Sequence, residues 1–154
     1  MIIGIDIGGT SSKLGLVHQG KVVKELKLPT KGHASADAFA DALAEKAKEL
    51  ATGHVVEAIG IGAPNANQIT GIIEMAPNLP WKQDLPLARM LELRCGIPAV
   101  LGNDANAAAL GEWRYGAGKG CKDLLMVTLG TGVGSGFIVH DRLVLGSHGN
   151  AGEV

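Results

Sequence analysis

The sequence has 154 residues, 46% of them hydrophobic, and a formal net charge of −1 at pH 7. This length and apolar content allow one or two domains with buried cores. The balanced charge excludes the strong basic surplus typical of nucleic-acid-binding proteins. Because Met1 leads straight into a short strand that ends at an aspartate, we expect no signal peptide, no membrane partner and a cytoplasmic location. The two cysteines, Cys95 and Cys121, form no metal-type pair and should be reduced.

The first thirteen residues predict a strand, a tight turn and a second strand. The first apolar run ends at Asp6, Gly8 and Gly9 reverse the chain, and Thr10 leads towards the apolar run 14–17. Glycine lets a ligand approach main-chain N–H groups closely, and Thr10, Ser11 and Ser12 add hydroxyl donors. Such a turn can hold a phosphate without a Walker lysine, although taken alone it is more often an ordinary hairpin.

The same pattern returns 122 residues later, where Gly130, Thr131 and Gly132 follow the apolar run 124–129. In both places a strand, a Gly/Thr turn, a strand, a polar turn and a third strand follow in order. This repetition favours phosphate binding over an ordinary hairpin. It predicts a duplicated domain with one phosphate-binding turn in each copy and a cleft between them.

Further strands are predicted between the two turns from apolar or alternating patterns. They cover residues 21–28, 55–61 and 97–101, with a short ribbon within 69–75. These strands alternate with helical patterns, which predicts parallel crossovers on a central sheet.

Three helices are predicted from their caps and apolar spacing. Ser35 is the expected N-cap of the first helix, which Gly53 closes. Asp84 is expected to cap a second helix with Pro86 in its first turn, and Gly96 to end it. An alanine-rich helix opens within residues 102–112.

The glycine-rich stretch 116–120 is interpreted as the hinge between the two copies. This gives a first domain at residues 1–117 and the start of a second, truncated one at 118–154. The second copy has room for about three strands and lacks helices, so residues 1–154 alone would expose apolar strand faces and edges. We therefore expect a chain about twice as long, or completion by pairing into a homodimer or higher homo-oligomer.

Several polar residues directly follow predicted strands, where open parallel sheets bind ligands. Asp6 could hold Mg²⁺ through water, because this ion usually keeps several waters. Asp104 is the candidate base for a hydroxyl that accepts a phosphoryl group. From pattern alone, Asn103 and Asp104 are equally well explained as helix N-cap residues. Lys13 is interpreted as a solvated strand lysine.

Four motifs resemble those of the ROK family of repressors and sugar kinases, within the actin-like ATPase superfamily. They are DIGGT at 6–10, LGTGVG at 129–134, GNDAN at 102–106 and the partial motif AGE at 151–153. They cover the chain in the family's order and spacing. The resemblance implies an α/β, actin-like ATPase (ribonuclease H-like) domain with a mixed sheet and flanking helices, followed by the first strands of a second similar domain.

The resemblance also implies a kinase that transfers the γ-phosphoryl group of ATP, with Mg²⁺, to the 6-hydroxyl of a hexose such as glucose. By resemblance, Asp104 would be the base and Asp6 would lie near the metal. Sugar contacts would come from Asn78, Asn103 and Glu153, and phosphate contacts from Gly8, Gly9, Thr10, Gly130, Thr131 and Gly132. The family's zinc site would lie beyond Val154, so no zinc ligand is assigned. Asn65 departs from the glycine that such kinases often carry.

Other functions remain open at this stage. A polyphosphate could replace ATP as donor. The fold also suits a sugar-sensing transcriptional regulator, although such a protein needs a helix-turn-helix before the sugar domain and here the phosphate turn begins near Ile2. An actin-like or chaperone ATPase would need no sugar, whereas Asn103, Asp104 and Glu153 together favour a polyol substrate.

Overall fold

The computed structural model describes residues 1–75, 79–130, 132–149 and 151–152. The strands of these residues are β1 (Ile2–Ile7), β2 (Ser11–His18), β3 (Lys21–Pro29), β4 (Ala58–Ala63), β5 (Ala66–Asn67), β6 (Ile72–Ile73), β7 (Ala99–Asn103), β8 (Leu124–Leu129), β9 (Val133–Val139) and β10 (Arg142–Leu143). The helices are α1 (Ala36–Ala51), α2 (Leu87–Cys95) and α3 (Asp104–Tyr115).

The main sheet has five strands in the order β3-β2-β1-β4-β7. β1 pairs antiparallel with β2, and β2 antiparallel with β3, whereas β1, β4 and β7 run parallel. The carboxyl ends of the three parallel strands therefore meet at one edge of the sheet. This mixed sheet with flanking helices confirms the predicted actin-like α/β fold.

One face of the main sheet forms the core with α1 and α2. Ile3, Ile5 and Ile7 of β1 alternate onto this face and are buried, together with Leu14, Leu16, Ile59, Ile61, Phe39, Leu43, Leu50, Leu87 and Leu91. Each large side chain buried in this way contributes about 1.5–3 kcal/mol. Helix α1 begins as predicted, because the Ser35 hydroxyl accepts a hydrogen bond from the Ala38 amide at 3.1 Å.

The predicted start of α2 is wrong. Asp84 does not cap the helix, which has Pro86 at its N-cap and no side-chain capping bond. The reason is that Leu85 exchanges two backbone hydrogen bonds of 2.9 Å with Ile73, which keeps the chain extended up to that point. The predicted strands 55–61 and 97–101 also begin late, at Ala58 and Ala99. The predicted ribbon within 69–75 contains β6, and its partner strand β5 lies just before it.

A charged contact joins α1 to α2. Arg94 donates from Nε to Asp41 at 2.6 Å and from Nη2 to Asp37 at 2.9 Å. The hydrogen bond to Asp41 raises the pKa of the Arg94 guanidinium above its ordinary value, so the cation persists at every physiological pH.

Helix α3 lies between the main sheet and the three-stranded sheet β10-β9-β8. On the main sheet, a Cβ added to Gly62 would lie 3.4 Å from the Ala107 methyl. On the small sheet, a Cβ added to Gly136 would lie only 2.6 Å from the Ala109 methyl. Alanines on the helix and glycines on the strands thus let the backbones approach closely.

The outward face of the small sheet is apolar and exposed, as the sequence predicts. Leu125, Val127 and Leu129 are 58%, 50% and 83% exposed. They stand 122 residues after Ile3, Ile5 and Ile7, which α1 covers on the main sheet. No described helix is long and apolar enough to cross a bilayer. The domain boundary at 117/118 stays a prediction.

The α3 contact can be tested with glycine substitutions. We expect Gly136→Ala to lower the free energy of unfolding by about 1–3 kcal/mol, because the new methyl overlaps Ala109. Gly60→Ala is the matched control, since a Cβ there meets nothing within 4 Å, and it should change stability by less than about 0.5 kcal/mol. Denaturant unfolding of both variants checks this, and equal stabilities would contradict the close approach.

Candidate functional site

The two glycine turns face one cleft of about 580 Å³. Gly8, Gly9 and Thr10 line it from the β1–β2 turn, and Gly130 and Gly132 line it from the β8–β9 turn. Asn103 and Asp104 also line it, at the junction of β7 and α3. Residues separated by more than a hundred positions therefore meet at the carboxyl edge of the main sheet, where α/β proteins bind ligands.

The first turn is held by its own hydrogen bonds and by Thr30. The Gly8 amide donates to the Ser11 carbonyl at 3.2 Å. The Thr30 hydroxyl donates to the Gly8 carbonyl at 2.7 Å, and the Thr30 amide donates to the Thr10 carbonyl at 3.0 Å. Carbonyl oxygens repel anions. Because the Gly8 and Thr10 carbonyls accept hydrogen bonds from Thr30, they oppose phosphate binding at this turn less.

The second turn contains glycines with two different purposes. A Cβ added to Gly130 or Gly132 would meet no described atom within 4 Å, so packing does not require glycine there. By contrast, a Cβ on Gly134 would lie 3.0 Å from the Ala105 methyl, and Gly136 is closer still to α3. The first two glycines leave the backbone open towards the cleft, as close approach of a ligand requires, while the last two serve packing.

Asn103 is the N-cap of α3. Its Oδ1 accepts from the amides of Ala105 and Asn106, at 2.8 and 3.1 Å. The N-cap interpretation is therefore correct for this residue and occupies its amide oxygen.

Asp104 is the first residue of α3 and is exposed. Its Oδ1 accepts from the Ala105 amide at 2.9 Å, and no described residue donates to Oδ2. A carboxylate held by one oxygen at a helix start retains the other for a hydroxyl in the cleft.

Asp6 lies in a neighbouring cleft of about 680 Å³ on the α3 side of the main sheet. Asn103 and Asp104 line both clefts, so the cleft that contains Asp6 adjoins the cleft of the two glycine turns at these two residues. Among the described residues no group of three or more His, Cys, Asp or Glu side chains could hold a metal. The separate carboxylates of Asp6 and Asp104 fit Mg²⁺, because this ion is usually held by one or two carboxylates together with water and phosphate oxygens. They do not fit a cation whose ligands all come from the protein.

Three predicted site residues, Asn78, Thr131 and Glu153, lie outside the described residues. Asn65, the departure from the family pattern, lines the cleft with a φ of 51°. This left-handed backbone is favoured by glycine and is adopted by asparagine more readily than by most other residues, so Asn65 is compatible with the turn. The Asn65 Nδ2 donates to the Glu74 carbonyl at 3.3 Å, so this side chain makes a hydrogen bond within the protein.

Sequence reasoning missed Thr30, and it interpreted Ser12 as a hydroxyl donor for a phosphate, whereas both residues are fully buried under the first turn. Their hydroxyl oxygens lie 2.9 Å apart. Because the single hydroxyl hydrogen of Thr30 goes to Gly8, Ser12 is the donor in this pair. The sequence did contain a signal for this buried pair. Position 12 belongs to the same buried alternation as Leu14 and Leu16, where an apolar residue is expected, and it is a serine.

Substitutions at Thr30 separate its hydrogen bonds from its packing. Thr30→Val keeps the shape but leaves the Gly8 carbonyl and the Ser12 hydroxyl without this partner, and we expect it to cost about 1–3 kcal/mol of unfolding free energy. Thr30→Ser retains the hydroxyl and should cost less than the valine variant. Denaturant unfolding checks both, and a valine variant as stable as wild type would disprove the role of the hydroxyl.

A family model described as the ROK family matches residues 2–154. A glucokinase from Streptomyces coelicolor is 41% identical over 99% of this chain and 48% of its own length. A xylose repressor from Caldicellulosiruptor bescii is 39% identical over 97 residues, which cover 62% of this chain and 24% of the repressor.

A solved structure is equally similar. The ROK family glucokinase from Streptomyces griseus, in complex with glucose and AMPPNP, has a TM-score of 0.87 and 41% identity, over 99% of this chain and 48% of that one. The chain thus spans about half the length of the glucokinases it matches. A family match along residues 2–154 shows that this chain belongs to the ROK family.

Proposed function

We propose that this chain forms the nucleotide- and sugar-binding half of an ATP-dependent sugar kinase, which transfers the γ-phosphoryl group to the 6-hydroxyl of a hexose, glucose first. The observation that carries the proposal is the single cleft lined by Asp104 and by both glycine turns. The similar glucokinase that holds glucose and AMPPNP supports the same substrates.

In this proposal the two turns hold the phosphates of ATP. Backbone N–H groups at Gly9, Thr10 and Gly132 offer partial positive charge to phosphate oxygens without a basic motif. The Gly130 amide instead donates to the Gly132 carbonyl at 2.9 Å and holds the second turn. Mg²⁺, when bound near Asp6 and Asp104, would neutralise charge on the phosphate oxygens. Phosphoryl transfer depends mainly on such positioning and charge stabilisation.

Asp104 receives the proton of the sugar hydroxyl. Its Oδ1 is fixed by the Ala105 amide, so Oδ2 is the acceptor oriented by the helix start. Asp104 lies in the first turn of α3. A modest base is enough, because a loose transition state needs little proton removal before the phosphorus–oxygen bond breaks. Asn103 and Glu153 bind ring hydroxyls, as the family resemblance implies.

Asp104→Asn tests the proposal in the full-length protein. We expect kcat to fall by at least about 10²-fold while sugar affinity is retained, since the amide keeps the shape and loses the proton acceptor. The assay couples ADP release to a panel of hexoses, and sugar affinity is measured by calorimetry.

The control is Asp141→Asn, at an exposed β9–β10 turn whose φ of 62° asparagine also adopts. It should turn over like wild type. Wild-type turnover by Asp104→Asn would remove Asp104 from the mechanism. ATP consumption that ignores added sugar would instead support an ATPase without a sugar substrate.

A second function has an observation in its favour, the similarity to a xylose repressor. A regulator would bind sugar in the same cleft and would not need to transfer phosphate. If the full-length protein binds sugar and an operator DNA but does not turn over ATP, this function is favoured over the kinase.

A further inference from the structure

The cleft is lined by one basic side chain among its described residues, Lys31. The remaining described lining is glycine, apolar or neutral polar residues and the Asp104 carboxylate. A nucleotide triphosphate carries several negative charges, and the turns offer it only partial positive charges. Among the described lining residues, Lys31 therefore carries the one formal positive charge that could contact a phosphate.

The position of Lys31 is fixed from both sides. The preceding residue, Thr30, is fully buried and hydrogen-bonded to the Gly8 and Thr10 carbonyls at 2.7 and 3.0 Å. On the other side, His33 Nε2 lies 2.9 Å from the Pro29 carbonyl oxygen, across a turn in which Gly32 has a φ of 92°. The backbone of Lys31 is thus attached to the first phosphate turn.

A solvated surface lysine is the simplest alternative, and Lys13 shows what that alternative looks like. Lys13 is close to the same turn in sequence and pairs across the strands with Asp6. Strand alternation places it on the α3 side of the sheet, where it lines the neighbouring cleft and not this one. Lys31 lines the cleft of the glycine turns and forms no ion pair with a described residue.

We propose that Lys31 binds the terminal phosphate of the nucleotide donor and makes the site selective for ATP over ADP. This inference rests on the proposed kinase function and adds a residue to it. The Lys31 ammonium donates charge-assisted hydrogen bonds to oxygens of the phosphoryl group that Asp104 faces across the cleft. No bond to Lys31 forms or breaks, and its charge stabilises the oxygens of the phosphoryl group during transfer.

Nucleotide affinity measured without sugar tests the proposal directly. We compare Lys31→Met, Lys31→Arg and Lys13→Met with wild type in the full-length protein, by calorimetry with ATP and with ADP. Lys31→Met should lose at least about tenfold in ATP affinity and less than about twofold in ADP affinity. Lys31→Arg should recover most of the ATP affinity, and Lys13→Met should match wild type.

Turnover gives a second readout. Lys31→Met should lower kcat/KM for ATP by at least about thirtyfold, with the KM for sugar unchanged. Its melting temperature should match wild type, because the residue is exposed.

Three outcomes would overturn the inference. They are unchanged ATP affinity in Lys31→Met, an equal loss for ATP and ADP, or an equal loss in Lys13→Met, which would indicate a general charge effect. A wild-type protein that binds ATP without sugar-dependent turnover would refute the kinase function. The comparison of ATP with ADP would still decide the role of Lys31.

Discussion

The close packing of α3 against two sheets is the contact on which the site depends. A methyl added to Gly136 on the small sheet would lie 2.6 Å from the Ala109 methyl, which leaves no room for it, and one added to Gly62 on the main sheet would contact Ala107 at 3.4 Å. This packing positions α3, and with it Asp104, relative to both glycine turns. A larger side chain at Gly136 would push the small sheet, and with it the second turn, away from α3.

The two turns are similar in sequence but are supported in different ways. The first rests on a buried hydroxyl pair, Ser12 and Thr30, which hydrogen-bonds its carbonyls. The second has hydrogen bonds from the Gly130 amide to the Gly132 carbonyl and from the Thr128 hydroxyl to the Gly134 carbonyl, and its later glycines also pack on α3. Close packing on a helix is thus what the second turn has in addition to hydrogen bonds.

Local sequence signals predicted much of the fold. Ser35 capped α1 as expected because the cap is a contact within three residues. The strands and the two turns followed from apolar alternation and glycine. The beginning of α2 did not, because Leu85 is held extended by Ile73, twelve residues away, and no local pattern shows that pairing. Boundaries that depend on a tertiary partner are the ones that sequence reasoning placed wrongly.

The sequence by itself determined the ROK motifs, the mixed α/β fold and the residue types that a phosphate and a hydroxyl require. Only the tertiary structure decided that Asp104 shares a cleft with both turns, that Lys13 faces away from that cleft, and that Lys31 lines it. The physical reason is that strand order and helix packing bring distant residues together. A sequence motif indicates which chemical groups lie close together along the chain. The face of the sheet on which a charged side chain lies depends on how whole strands pair.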